Sequence, residues 1–391
     1  MIPLMKNAFT SEIETKKALS EFILTADKLS MGENCFGFEK EFAKMQNRKE
    51  SILLNSGGSA NLALLQSLKN IGRLKDKSKI GFTALTWSTN VMPIIQLGME
   101  PIAVDCEYST LNIMSHNLLD TLKDNKLDAL FITNVLGFCG DLKNIKEICD
   151  EKNIILIEDN CEALGSELFG KRSGNFGLAS TFSFFVAHHM STIEGGMVCT
   201  DDIELAEMLR MVRANGWDRN LTASQQHKYR SKYAINSEFQ AKYTFYDLGF
   251  NLRPTEITGF IGLFQLRFLE KNNKKRNLNH KYLSQVAMEN DDLVNVNYEH
   301  MDFLSPFAYP IICKSKELKN RYFEQFSGAG IEIRPMISGN IQLQPFYKKY
   351  KKNETNCAGA DFLHHNSFYC GNYPELNNED LEIIKSCLQK Y

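Results

Sequence analysis

Between about residues 40 and 214, short β-rich apolar runs alternate with amphipathic helical stretches, and this alternation restricts the fold more than any other feature of the chain. Strands joined through helices must cross over and run parallel, so the pattern predicts an α/β layer with a mainly parallel sheet flanked by helices. Residues 79–82, 101–105, 129–133, 154–158, 181–184 and 197–200 read as strands, and 60–69, 89–97, 142–151 and 203–213 as helices. Gly98 and Gly216 stand where helix stops belong. From Trp217 to Phe250 the periodicity fades into a polar segment dotted with aromatics, too long for a simple connector and so read as a functional or partner-contacting loop. Past Pro254 a long helix is expected through Gln265 and Glu270, and the segments 307–313 and 331–335 flank a further helix at 315–327. The reading is a large domain over 1–255 and a smaller C-terminal α+β domain over 256–391.

A chain of 391 residues suits two such cores, and 43% hydrophobic with 24% charged residues leaves no room for a mostly disordered chain. The 45 Lys and Arg are balanced by 47 Asp and Glu, for a formal net charge of -2, so no basic excess points to a nucleic-acid partner. The densest positive cluster, Lys348, Lys349, Tyr350, Lys351 and Lys352, reads as a solvated surface. Ten cysteines occur without a CxxC or CxC pair, which argues against zinc ribbons and iron–sulfur ligation, and no metal site is expected. Charge enters at Lys6 and Glu12, and no apolar run approaches the roughly 20 residues of a membrane span. No membrane partner is expected, and the chain reads as cytoplasmic with reduced thiols.

Three segments carry candidate chemistry. Asn55-Ser56-Gly57-Gly58-Ser59-Ala60-Asn61 leads from a strand-like run into a helix, offering free N–H groups, hydroxyls and the positive end of the helix dipole to an anion. A turn with an N-cap would look the same. Ile157-Glu158-Asp159-Asn160-Cys161-Glu162-Ala163 puts an acid just past a buried strand, where ligands of open α/β sheets collect. Asp159 is either a helix cap or a carboxylate facing a protonated ring nitrogen of the kind pyridoxal enzymes hold. The third segment runs from Thr181-Phe182-Ser183 through His188-His189 to Glu194-Gly195-Gly196.

Together these segments resemble the sugar aminotransferase family of fold type I pyridoxal phosphate enzymes, whose pattern is a serine, four residues, a Schiff-base lysine and then Glu-Gly-Gly. Here Ser183 and Glu194-Gly195-Gly196 are present, but His188 holds the lysine position and no lysine lies between Lys171 and Lys228. That departure resembles the sugar 3-dehydratase branch. Thr86-Trp87-Ser88-Thr89, Arg213-Ala214-Asn215-Gly216-Trp217, Asn251-Leu252-Arg253-Pro254 and Ala329-Gly330-Ile331-Glu332-Ile333-Arg334-Pro335 fall in matching order over nearly the whole chain. A related dehydratase on CDP-sugars adds an iron–sulfur cluster, and the missing CxC places this chain with the cluster-free branch.

The resemblance implies pyridoxal 5'-phosphate and pyridoxamine 5'-phosphate as cofactor, L-glutamate as amino donor, and a nucleotide-linked 4-keto-6-deoxy sugar, of the GDP-4-keto-6-deoxy-D-mannose type, that loses its C3 hydroxyl. It implies His188 as the proton carrier, which an imidazole can be near neutral pH. It further implies Asp159 on the pyridine nitrogen, Trp87 stacked on the ring, Gly58, Ser59 and Ser183 on the phosphate, and Glu162 near the ring hydroxyl. Asn251 is expected to reach the neighbouring subunit's phosphate in a homodimer, and Arg219, Arg253 and Arg334 to meet substrate diphosphate or the glutamate carboxylate. Two alternatives stand: the same chemistry on a CDP-linked or 6-deoxyheptose substrate, and a non-catalytic cofactor-binding regulator. His189 and the pair His364-His365 read as packing or hydrogen-bonding residues.

Overall fold

The computed structural model describes residues 1–351 and 354–390. Its strands are β1 (Glu50–Leu54), β2 (Lys79–Thr83), β3 (Glu100–Val104), β4 (Ala129–Thr133), β5 (Ile155–Asp159), the short hairpin β6 (Glu167–Leu168) and β7 (Lys171–Arg172), then β8 (Ala179–Ser183), β9 (Gly196–Thr200), β10 (Ala308–Ile312), β11 (Ile333–Pro335) and β12 (Ser367–Gly371). Seven of them form one sheet in the order β1-β9-β8-β5-β4-β2-β3. The pairs from β8 through β5, β4 and β2 to β3 are parallel, and β9 is antiparallel to both neighbours, β8 and β1. Only β9 is therefore reversed, and the other six strands end on one edge. Every residue of β4, β8 and β9 is buried, as strands covered by helices on both faces must be.

The crossover helices start where capping residues can take up their free N–H groups. Ser56 is extended and accepts the Ser59 N–H, opening the helix Gly57–Asn70 directly after β1. Asp202 does the same for Leu205 at the start of Ile203–Val212. Gly98 and Gly216 follow their helices with φ of 74° and 81°.

In the C-terminal part, β10, β12 and β11 form an antiparallel sheet against the helices Leu269–Ala287, Lys316–Gly328 and Asn378–Leu388. Its own core holds Ile311, Tyr322, Phe326, Phe368 and Ile384, and Ile2 from the start of the chain packs into it beside Ile331. The helix Glu256–Leu266 lies on Glu33–Gln46, where the Glu256 carboxylate accepts the N–H groups of Gly32, Asn34 and Cys35. Two local expectations change. The single helix past Pro254 is two, broken at Arg267 and Phe268. The expected loop at 217–250 contains the helix Ala223–Lys232, opened by a Thr222/Gln225 capping box; of its residues only Tyr229 is buried, so it carries little apolar period. Of the positive cluster, Lys348 pairs with Glu354 and Lys351 with Glu100, while Lys352 lies outside the described residues.

One buried ion pair fastens the start of the sheet. Arg213 is fully buried and donates to the Glu39 carboxylate and, at 2.6 Å, to the Leu53 carbonyl, while Glu39 also accepts the Leu53 N–H. The pair joins β1, the helix Glu33–Gln46 and the end of Ile203–Val212. Breaking it from one side strands a charge in the core, so Glu39→Gln should cost about 3 kcal/mol of stability in urea unfolding. Lys123→Ala, at the exposed pair with Asp120, should leave the midpoint in place.

Candidate active site

The edge where six strands end collects most of the expected site residues. Ser56 and Gly57 follow β1, Trp87 follows β2, Leu136 follows β4, Asp159 ends β5 with Glu162 just beyond, and Ser183 ends β8 with His188 five residues on. This is the edge at which parallel α/β sheets bind their ligands.

At one end of the site the first turn of Gly57–Asn70 lies against Ser183. A Cβ on Gly57 would sit 2.6 Å from the Ser183 Cβ, so only glycine lets the helix start approach this closely. A Cβ on Gly196, the first residue of β9, would meet the Ser56 carbonyl oxygen at 2.2 Å. Gly58, Ser59 and Ser183 thus stand together at a helix N-terminus, with the Ser56 and Ser59 hydroxyls 2.9 Å apart. Such an arrangement accepts a phosphate dianion.

One strand further along, Asp159 is 3% exposed. Its Oδ2 accepts the side-chain amides of Asn61 at 2.9 Å and Asn90 at 2.7 Å, and its Oδ1 accepts the Cys161 N–H at 2.9 Å. All three donors are neutral, and among the described residues Asp159 has no ion pair. A buried carboxylate in that state suits a cationic N–H, which is what a protonated pyridine ring presents. Trp87 caps the helix Ser88–Gln96 that carries Asn90, and the residue is 55% exposed, leaving a flat indole open to a ring. An anion cradle, an open indole and an uncompensated carboxylate fit pyridoxal phosphate.

His188 lies between these groups and the C-terminal part. Its Nδ1 is 3.4 Å from the Ser183 carbonyl, which can only accept, so Nδ1 carries the proton and Nε2 keeps a free lone pair. The Phe307 ring stands perpendicular to the imidazole, with centroids 5.3 Å apart. Burial pulls the imidazole down to about 4, against the Ser183 carbonyl and the Asp159 charge that favour protonation, with Arg276 adding to the fall. Near neutral pH it is an uncharged base. His189 is buried with Nε2 3.0 Å from the Ser305 carbonyl, the hydrogen-bonding role expected of it. His364 and His365 pack edge to face, and no cluster of potential metal ligands occurs among the described residues.

Glu162 accepts the Leu136 N–H at 2.9 Å. Burial pushes its carboxyl up to about 8, opposed by that N–H and reinforced by the Asp159 charge.

The remaining candidates stand apart from this cluster. Asn251 is exposed and accepts from Arg253 Nε at 3.0 Å, while its neighbour Leu252 takes the Asn55 N–H at 3.0 Å. Arg219 is exposed, with its guanidinium 5.2 Å above the Trp217 ring. Arg334 pairs with Glu332 and lines a cleft of ≈ 400 Å³ with Lys319 and His364. Across the strands Arg334 faces Tyr369, whose ring is 6.3 Å from Phe307, so a chain of two rings links it to His188. Asn61, Asn90 and Phe307 went unassigned in the sequence. A buried amide in an otherwise apolar helix was the available signal for Asn90; Phe307 had none.

A sheet with this order and a ligand edge so furnished defines the fold type I aminotransferase class. The chain belongs to the DegT/DnrJ/EryC1/StrS aminotransferase family, which it matches over residues 10–389. It is 32% identical to GDP-4-keto-6-deoxy-D-mannose 3-dehydratase of Escherichia coli O55:H7, covering 94% of this chain and 95% of that one. Against the enzyme of the same name from Yersinia pseudotuberculosis the identity is 31%, over 94% of each chain. The solved E. coli GDP-4-keto-6-deoxy-D-mannose-3-dehydratase with bound hydrated PLP matches with a TM-score of 0.90 at 30% identity, over 100% of this chain and 99% of that one. A GDP-4-keto-6-deoxymannose-3-dehydratase with a trapped PLP-glutamate geminal diamine gives 0.91 at 30% identity over the whole of both chains.

Glu162 yields a test of this electrostatic reading. The folded protein holds its proton up to about pH 8, whereas an unfolded chain releases it near 4.5. Between those values the native state binds more protons, so this group lowers stability as pH rises. Glu162→Gln keeps the neutral shape and an oxygen for the Leu136 N–H, and its urea midpoint relative to the wild type should rise from pH 5 to pH 8. An unchanged difference would contradict the raised carboxyl.

Proposed function

We propose that the chain is a pyridoxal phosphate- and pyridoxamine phosphate-dependent nucleotide-sugar 3-dehydratase, acting with L-glutamate on GDP-4-keto-6-deoxy-D-mannose or a sugar of that type. The observation that carries this reading is His188, an uncharged imidazole at the position where an aminotransferase of this family has its lysine. Relatives named for that substrate, with cover of nearly the whole chain, support the GDP-sugar over a CDP-linked one.

Gly58, Ser59 and Ser183 would hold the cofactor phosphate, Asp159 its pyridine N–H, and Trp87 one face of its ring. When bound, the cofactor supplies an electron sink beside the reacting carbon and, in the amine form generated from L-glutamate, an amino group for the sugar's C4 ketone. Glu162, protonated near neutrality, would donate a hydrogen bond towards the ring hydroxyl. His188 Nε2 accepts a proton at the reacting centre and returns one to the departing C3 hydroxyl, which leaves as water. Histidine cannot form an imine, so the cofactor would be held by these contacts alone. Overall the sugar loses one oxygen atom, while glutamate is oxidised to 2-oxoglutarate and its nitrogen released as ammonia.

We further propose a homodimer in which the exposed Asn251 reaches the partner's phosphate site, with Arg219, Arg253 and Arg334 meeting the diphosphate or the glutamate carboxylate. The division at 255/256 into two domains belongs to the same proposal, as does a cytoplasmic location, which the ten unpaired thiols support; no helix among the described residues is long and apolar enough to cross a membrane.

Incubated with pyridoxal phosphate, L-glutamate and a panel of nucleotide-linked 4-keto-6-deoxy sugars, the protein should give a product one oxygen atom lighter than the sugar supplied, by mass. Products carrying an amino group instead would make it an aminotransferase. Borohydride treatment of the loaded protein should add no cofactor mass to the chain. His188→Asn should still bind pyridoxamine phosphate while dehydration falls by roughly 10²–10⁴-fold; near-normal turnover at saturation would place the base elsewhere.

A further inference from the structure

Behind His188 lies a buried cation that the proposed reaction does not use. Arg276, on the helix Leu269–Ala287, is 5% exposed, and among the described residues it has no ion pair. An unpaired buried guanidinium is costly, and side chains of this kind are rarely buried without a partner. Its Nη1 donates to the Phe307 carbonyl at 2.9 Å and to the Asn372 carbonyl, while the Asn372 side-chain amide donates back to the Arg276 carbonyl at 3.1 Å and to the Pro306 carbonyl at 3.4 Å. The segment Ser305-Pro306-Phe307 is thus gripped from the C-terminal side by two interlocked residues.

The other side of that segment faces the site. The Ser305 carbonyl accepts from His189, the Phe307 N–H donates to the Leu136 carbonyl at 2.9 Å, and the Phe307 ring stands perpendicular to the His188 imidazole. Leu136 in turn donates its N–H to Glu162. One short strap therefore packs against the base and is joined to the carboxyl through Leu136.

We propose that Arg276 is a positioning residue for His188: by clamping the Phe307 carbonyl it fixes the ring against which the imidazole is braced. This rests on the reading of His188 as the base. The charge of Arg276 bears on His188 as well. Of the groups facing His188, Asp159 at the end of β5 and the Ser183 carbonyl of β8 favour the imidazolium, whereas Arg276 disfavours it; His189 beside it is itself held well below its ordinary range. Removing the cation should make His188 easier to protonate.

The test uses the full chain and reads the His188 imidazole by NMR titration together with the acid limb of kcat/KM in the holoenzyme. In Arg276→Met both midpoints should rise by about half a pH unit or more, with kcat about tenfold lower and sugar KM within twofold. Arg276→Lys, which keeps the charge, should return the midpoints towards the wild type. Phe307→Leu keeps every backbone carbonyl of the clamp and should lower kcat about tenfold at nearly constant KM; it decides the question if Arg276→Met does not fold. Midpoints unmoved in a folded Arg276→Met, or a Phe307→Leu that changes KM and spares kcat, would overturn the proposal. The NMR titration needs no turnover, so a protein that dehydrates no sugar would defeat the functional reading and leave the clamp still tested.

Discussion

A buried carboxylate without a cation organises this site. A carboxylate at Asp159 is tolerable inside the fold only if donors are turned towards it, and the chain supplies amides from two different helices and one backbone N–H. The demand fixes more than Asp159. It sets the rotation of Gly57–Asn70, which carries Asn61 and presents the anion-holding turn, and of Ser88–Gln96, which carries Asn90 and presents the Trp87 ring. The helix start at Gly57, the exposed Trp87 ring and the Asp159 carboxylate are therefore oriented by one hydrogen-bond centre.

The same burial acts with opposite sign on two neighbours. Removing water disfavours charge on either group, so the imidazole of His188 falls to about 4 and the carboxyl of Glu162 rises to about 8. Between those values one is a lone-pair base and the other a proton-bearing acid at once, which free solution does not allow for this pair. No ion pair is needed to keep them so. The Leu136–Phe307 hydrogen bond then ties the two to one piece of backbone, so their spacing is a property of the scaffold.

Much of this was legible in the sequence. The strand at 129–133 was read with the bounds it has, and Asp159 was singled out because it lies just past a buried apolar run, whereas Ser183 and His188 were found through the family pattern they resemble. What periodicity reports is local burial along one element, and the missed features are not local. Arg276 and Phe307 are 31 residues apart, Asn90 and Asp159 are 69, and Asn61 and Asp159 are 98. No window along the chain contains both partners of such a bond. The helix Ala223–Lys232 was missed for a different reason: it buries almost nothing, so its presence was written only in its cap.

The reversed strand β9 turns the sheet into a ruler. Neighbouring strands are held about 4.8 Å apart by their hydrogen bonds, so the ends of β1 and β8, with β9 between them, stand about 10 Å apart, and β5 is one further step along. Whatever occupies this edge meets binding groups at intervals graduated by the backbone ladder and independent of side-chain choice. Gly196 keeps the middle graduation empty, since any side chain there would run into the Ser56 carbonyl. A site measured off in this way can accept repacking of the helices behind it and keep its scale, but it cannot accept a shift of register by one residue.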